Sequence, residues 1–290
     1  MRVRFPRMAP FDRLLRVALA ACTLTACETA HDIDDATLRA ADADTANWLT
    51  HGRTYTEQRH SPLNQVNDRS VKQLGLAWSV DMQTLHGLEA TPLVKDGVMY
   101  VTGTWSVVYA LDARTGAERW RYDPRSRKDH DKFMCCGVVN RGVALYRGRV
   151  YVGTMDGRLV ALDERTGKPV WTVQTTPRDS AYSITGAPRI AGGKVIIGNA
   201  GSEYAVRGFV SAYDAMTGAL AWRSYMVPGD PSKPFESEAL RRAAATCSPV
   251  SPSPASRPAT CPPRSSTLSP ASSTRRPTRP SASRSPTTSP

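Results

Sequence analysis

The sequence predicts an all-β fold, a β-propeller of four-stranded blades, on three observations. The pattern Ala-x-Asp-x-x-Thr-Gly-x-x-x-Trp occurs three times, from Ala110 to Trp120, Ala161 to Trp171 and Ala212 to Trp222. The interval is 51 residues both times. Between the copies run short segments of alternating apolar residues, punctuated by glycine, with no helical periodicity. A strict period of this length marks one supersecondary unit stacked on copies of itself. A β-sandwich would account for the strands but not for the period.

The elements follow in order. Asp32 to Trp78 is a lead-in, in which Trp48 and Gly52–Asn67 have the character of an entry strand. The second repeat reads as strands Val143–Tyr146, Arg149–Thr154, Arg158–Asp163 and Pro169–Gln174. The third reads as Ala187–Ile190, Lys194–Asn199, Phe209–Asp214 and Leu220–Tyr225. Gly148 and Gly157 mark two tight turns. The Asp-x-x-Thr-Gly segment makes the third, because the Asp side chain accepts from nearby backbone amides and Gly supplies positive φ. The tryptophan at the fixed outer position is expected to pack against the next blade and lock the two together.

Charge narrows the function classes. The formal net charge of the 290 residues is +12. Residues 1–26 carry five arginines against Asp12, and the last 44 residues carry six arginines and no acid. The body between them is close to neutral, so no phosphate-tracking stripe and no nucleic-acid partner are expected. The first segment, 1–26, reads as an export signal: basic to Arg16, then apolar from Val17 to Ala26. Leu24-Thr25-Ala26-Cys27 is similar to a bacterial lipobox. Lipidation at Cys27 and ordinary cleavage remain two alternatives. Either places the mature protein in the periplasm, where disulfides persist, with the membrane reached only through a lipid on Cys27. Body residues 27–246 would form the propeller. From Cys247 to Pro290 the chain has 11 prolines and no Gly, acid or aromatic residue. That composition cannot offset its conformational entropy and predicts disorder.

A family resemblance rests on four blocks. These are Leu88-Glu89-Ala90-Thr91-Pro92, Cys135-Cys136 with Asn140-Arg141-Gly142, Ile184-Thr185-Gly186-Ala187-Pro188, and Gly201-Ser202-Glu203. With them, the stretch from about Asn47 to Glu236 resembles the pyrroloquinoline-quinone-dependent alcohol dehydrogenases, including the methanol and ethanol enzymes. The adjacent cysteines are the most specific feature. A bond between them closes a ring on Cα atoms only ~3.8 Å apart, a strained arrangement that persists where surrounding structure enforces it; two reduced cysteines are the alternative. The resemblance implies that the ring lies against the quinone, that Arg141 grips a cofactor carboxylate, and that Thr185 donates a further hydrogen bond. It also implies that Glu89 contacts the cofactor edge, that Gly201 and Ser202 lie in the cofactor loop, and that Glu203 ligates Ca2+. Ala200 and Ser202 depart from residues common in relatives, which leaves local hydrogen bonding to the cofactor open.

The resemblance further implies oxidation of a primary alcohol to an aldehyde, with electrons passed to a cytochrome c. That reaction needs a carboxylate general base, a second calcium ligand and a Trp on the other quinone face. In relatives all three follow the region of Phe235-Glu236, where this chain carries Ser/Pro/Arg sequence. No catalytic residue is assigned. The family implies about eight blades, of which this body would supply about four, the last incomplete. A truncated product of a frameshift near residues 236–247, inactive alone, is the expectation. The alternative is a non-catalytic periplasmic propeller scaffold lipoprotein, which would have no need for Cys135, Cys136, Arg141 or Glu203.

Overall fold

The computed structural model describes residues 32–134 and 136–246. The expected signal segment, Cys27, Cys135 and the tail from Cys247 lie outside the described residues. Three four-stranded antiparallel sheets follow one another along the chain. The first blade is β1 (Leu93–Lys95), β2 (Val98–Thr102), β3 (Val108–Asp112) and β4 (Glu118–Tyr122). The second is β5 (Ala144–Tyr146), β6 (Arg149–Gly153), β7 (Arg158–Asp163) and β8 (Pro169–Gln174). The third is β9 (Arg189–Ala191), β10 (Lys194–Gly198), β11 (Phe209–Asp214) and β12 (Leu220–Tyr225). In each blade sequential strands are spatial neighbours.

The repeat acts through one local device. At the same position in each blade the register slips, between Ala110 and Leu111, Ala161 and Leu162, and Ala212 and Tyr213. The irregularity turns the third strand into the Asp-x-x-Thr-Gly corner. There Asp163 Oδ1 accepts from Thr166 N at 2.9 Å and from its hydroxyl at 2.7 Å. Gly167 closes the turn at φ +68. The carboxylates of these corners are held below their ordinary range by such bonds. For Asp112, Arg119 is the leading cause, followed by the Arg114 amide, and its pKa falls to about 2.

Each corner also receives the preceding blade. Trp120 Nε1 donates to Glu164 O at 2.9 Å, and its ring covers Gly167, where an added Cβ would lie 2.5 Å from the ring. Trp171 repeats this on Ala215 O at 3.1 Å and on Gly218. Trp78, in the lead-in, does the same on Ala113 O and Gly116. A buried ion pair strengthens the first junction: Lys95 Nζ lies 2.8 Å from Glu164, with the two side chains 6% and 12% exposed. Tyr100 also donates to Glu164, and burial, with Glu164 beside it, pushes its phenol up.

Among the described residues three complete blades stand, where about four, the last incomplete, were expected. Past Tyr225 the chain runs through Pro228, Pro231 and Pro234, which lack ladder donors. It then forms a helix that the strand reading did not anticipate, α2 (Glu238–Thr246), after α1 (Asp35–Arg39) in the lead-in. Its Ala-rich sequence favours helix, the Ser237 hydroxyl accepts from Leu240 N at 3.2 Å, and Glu238 pairs with Arg241 one turn on. The lead-in contributes one bridge, Trp48 to Val94 on β1, and its residues Leu38, Leu49 and Tyr55 lie beside the first strands of the blades. Among the described residues no helix is long and apolar enough to cross a membrane.

Candidate functional site

The loops that lead into the blades carry Glu89, Cys136, Arg141 and Thr185, while Gly201, Ser202 and Glu203 lie between β10 and β11 of the third blade. Arg141 precedes β5, Thr185 precedes β9 and Glu89 precedes β1, so three consecutive blades each present one residue at the same level. The structure brings these three into contact. Arg141 Nη1 donates to the Thr185 hydroxyl at 2.7 Å, and its Nη2 lies 2.7 Å from Glu89 Oε2. The backbone is stitched the same way: Arg141 N donates to Thr185 O at 2.9 Å, and Thr91 N donates to Arg141 O at 3.3 Å. The guanidinium thus spans two blade junctions while its side chain stays 41% exposed.

Asn140 fixes the loop beneath it. It is 2% exposed and donates from Nδ2 to Gly153 O at 2.8 Å and to the Ser106 hydroxyl at 3.1 Å. Its Oδ1 accepts from Gly142 N at 3.0 Å. Gly142 sits at φ +127, and a Cβ there would press on Thr91 O at 3.1 Å. The peptide units on either side of Arg141 are therefore held, and the guanidinium projects from a fixed base.

Glu203 lies apart from this trio. It sits in the turn Ser202–Tyr204, which follows Gly201 at φ 109. Gly201 is required there, because a Cβ would lie 2.4 Å from Ala181 O. Ser202 and Glu203 are exposed, and the Glu203 carboxylate has no hydrogen bond or ion pair among the described residues. No group of three His, Cys, Asp or Glu side chains that could hold a metal occurs among the described residues. Any calcium at Glu203 would need most of its six to eight oxygens from elsewhere.

Cys136 is exposed and makes no disulfide among the described residues. Cys135 lies outside the described residues, and with it the expected bond. The loop that leads to the cysteines is nonetheless anchored. His130 is 3% exposed, its Nε2 is 2.7 Å from Tyr182 O, and its ring meets Phe133 edge-on. Phe133 in turn meets Tyr204, the neighbour of Glu203, at 5.6 Å between centroids. This aromatic run joins the cysteine loop to the Glu203 turn.

The same stretch matches the family model "PQQ: Glucose/ethanol/alcohol dehydrogenase, beta-propeller domain" over residues 48–251. The chain belongs to this quinoprotein propeller family. It is 58% identical over 214 residues to the quinohemoprotein alcohol dehydrogenase ADH IIB of Pseudomonas putida, covering 74% of this chain and 31% of that protein. It is 52% identical over 206 residues to the 1-butanol dehydrogenase (cytochrome c) of Thauera butanivorans, covering 70% and 29%. Among solved structures it is similar to the quinohemoprotein alcohol dehydrogenase ADHIIG of Pseudomonas putida, at TM-score 0.73 and 55% identity, covering 74% of this chain and 32% of that one. The chain spans about a third of the length of the curated relatives it matches.

Two residues that support this loop cluster were not singled out from the sequence. Asn140 stood in a matched block without a role; its signal was a polar residue between Val138-Val139 and Gly142, in a run that had to be buried. His130 carried no motif signal, since its partner is a backbone carbonyl 52 residues away.

Proposed function

We propose that this chain carries the arginine side of a pyrroloquinoline-quinone site, in a protein of the alcohol-oxidising quinoprotein lineage. The observation that carries the reading is the Arg141 fork, set between the Thr185 hydroxyl and the Glu89 carboxylate on a base fixed by Asn140. This donor set fits the polar part of a cofactor with three carboxylates. A planar guanidinium with free N–H groups and a neutral hydroxyl suits one of them. When bound, the quinone supplies hydride acceptance from an alcohol. Arg141 and Thr185 would orient it, and Glu89 would hold the guanidinium in the plane that meets it. Cys135 and Cys136, joined as a vicinal disulfide, would cover one quinone face, with Gly201 and Ser202 in the adjoining loop. Calcium at Glu203 belongs to the same proposal, with its other ligands drawn from beyond the described residues.

Primary alcohols as substrates and a cytochrome c as acceptor are proposed on the strength of the relatives named above. Periplasmic localisation, with or without a lipid on Cys27, is proposed from the N-terminal sequence alone.

The experiment is reconstitution of the full chain with the quinone and calcium, followed by ethanol, with the quinone absorbance recorded at each step. Binding without turnover is expected, because no general base is assigned to this chain. Failure of the quinone to bind overturns the cofactor reading. Ethanol-dependent bleaching overturns the absence of a base.

A further inference from the structure

We propose that the groove between the first and second blades binds a small oxyanion, held by the guanidinium groups of Arg125 and Arg178. The groove encloses about 360 Å³ and shares no residue with the quinone site. Four guanidinium groups line it against the single carboxylate of Asp156.

Two of the four arginines build the walls. Arg158, on β7, holds Asp156 through two bonds of 2.9 Å and donates from Nη2 to Pro124 O at 2.9 Å, tying the second blade to the exit loop of the first. Arg127 pairs with Asp129 at 2.8 Å and Asp179 at 3.2 Å, and donates to Arg178 O at 3.2 Å. That last bond draws the exit loop of the second blade to the exit loop of the first. Both groups have their charges answered.

The other two do not. Arg125 and Arg178 are exposed, and their guanidinium groups have no acceptor among the described residues. Each follows a proline just past the outer strand of its blade, Pro124 after β4 and Pro177 after β8, and both residues line the one groove. Between them β8 presents Thr172, while Gln174 is fixed by donation to Asp156 O at 2.9 Å. Two unanswered forks and a hydroxyl around a concave space are the donor set that recognises a tetrahedral or planar oxyanion. The groove's one carboxylate, Asp156, is already taken up by Arg158. An acidic protein surface would meet the same arginines from outside but could not reach the groove floor.

The test is titration of the full chain with inorganic phosphate at constant ionic strength in chloride, read by calorimetry. Saturable binding is expected in the wild type and in the control Lys72→Gln. The double variant Arg125→Gln/Arg178→Gln should bind about tenfold more weakly or worse, since each lost bond is charge-assisted. Non-saturable uptake, an unchanged double variant, or an equal loss in Lys72→Gln overturns the proposal. Should the double variant lose its circular dichroism, Arg125→Lys/Arg178→Lys decides: it keeps the charge and loses the fork, so weakened phosphate binding supports the site and unchanged binding overturns it. A polyaspartate peptide that binds where phosphate does not would assign the arginines to a protein partner instead and also overturn it.

Discussion

The junction between blades is most sharply tested at Gly167. Its φ of +68 and the Trp120 ring 2.5 Å from an added Cβ are two separate obstacles to alanine. The backbone obstacle alone is present at Gly148, at φ +66 with open space around it. Left-handed backbone costs a non-glycine residue ~1–2 kcal/mol. Forcing a methyl group into packed space costs a further ~1–3 kcal/mol. The ring cannot retreat freely, because Trp120 Nε1 is held by Glu164 O at 2.9 Å. Gly148→Ala should therefore cost ~1–2 kcal/mol and Gly167→Ala ~2–5 kcal/mol. Urea unfolding followed by far-UV circular dichroism measures both. In a Trp120→Leu background the excess at Gly167 should vanish, which isolates the ring contact as a coupling term. Equal costs at Gly167 and Gly148 in the wild-type background would refute the docking argument.

Trp171→Ala should destabilise by ~3–5 kcal/mol, since Trp171 docks on Gly218 and Ala215 O. Trp222→Ala should fall within ~1 kcal/mol, because Trp222 is 46% exposed; thermal unfolding of the two variants decides. Lys95→Met leaves Glu164 buried without its counter-charge and should cost ~3–5 kcal/mol, and adding Glu164→Leu should recover most of it in the same assay. Asp112 is depressed to about 2, first by Arg119 and then by backbone amides. Its contribution is fully present above the unfolded value and is lost as pH falls through about 2. Asp112→Asn should therefore flatten the pH dependence of stability between about 4 and about 2, read by denaturation at stepped pH.

The parts of the fold that repeat were legible in the sequence, because the same residues meet the same need three times. The strands of the second and third blades fall within two residues of their expected ends, fixed by alternation and by the Asp-x-x-Thr-Gly corners. Trp78 escaped the period because it stands 42 residues before Trp120 and follows no such corner. Its partner Gly116 identifies it only once the corner is folded. The helix α2 was not anticipated, because its nine residues are too short a run to show helical periodicity beside the strand repeats. In the site, Glu89, Arg141 and Thr185 were chosen separately, and the structure joins them. The partners of their supports were not legible: Asn140 works through Gly153 O, and His130 through Tyr182 O. Backbone partners leave no mark in a sequence. Glu203 was legible as a residue but not as a metal site, since one carboxylate states nothing about where the other ligands come from.

Arg141, set by Thr185 and Glu89, is proposed as the seat of a quinone carboxylate. Titration of the full chain with pyrroloquinoline quinone, followed by tryptophan fluorescence in the wild type and in Arg141→Gln, tests it most directly. Saturable quenching in the wild type, weakened about tenfold or more in the variant, is predicted. Quenching that does not saturate, or that is the same in both proteins, would contradict it.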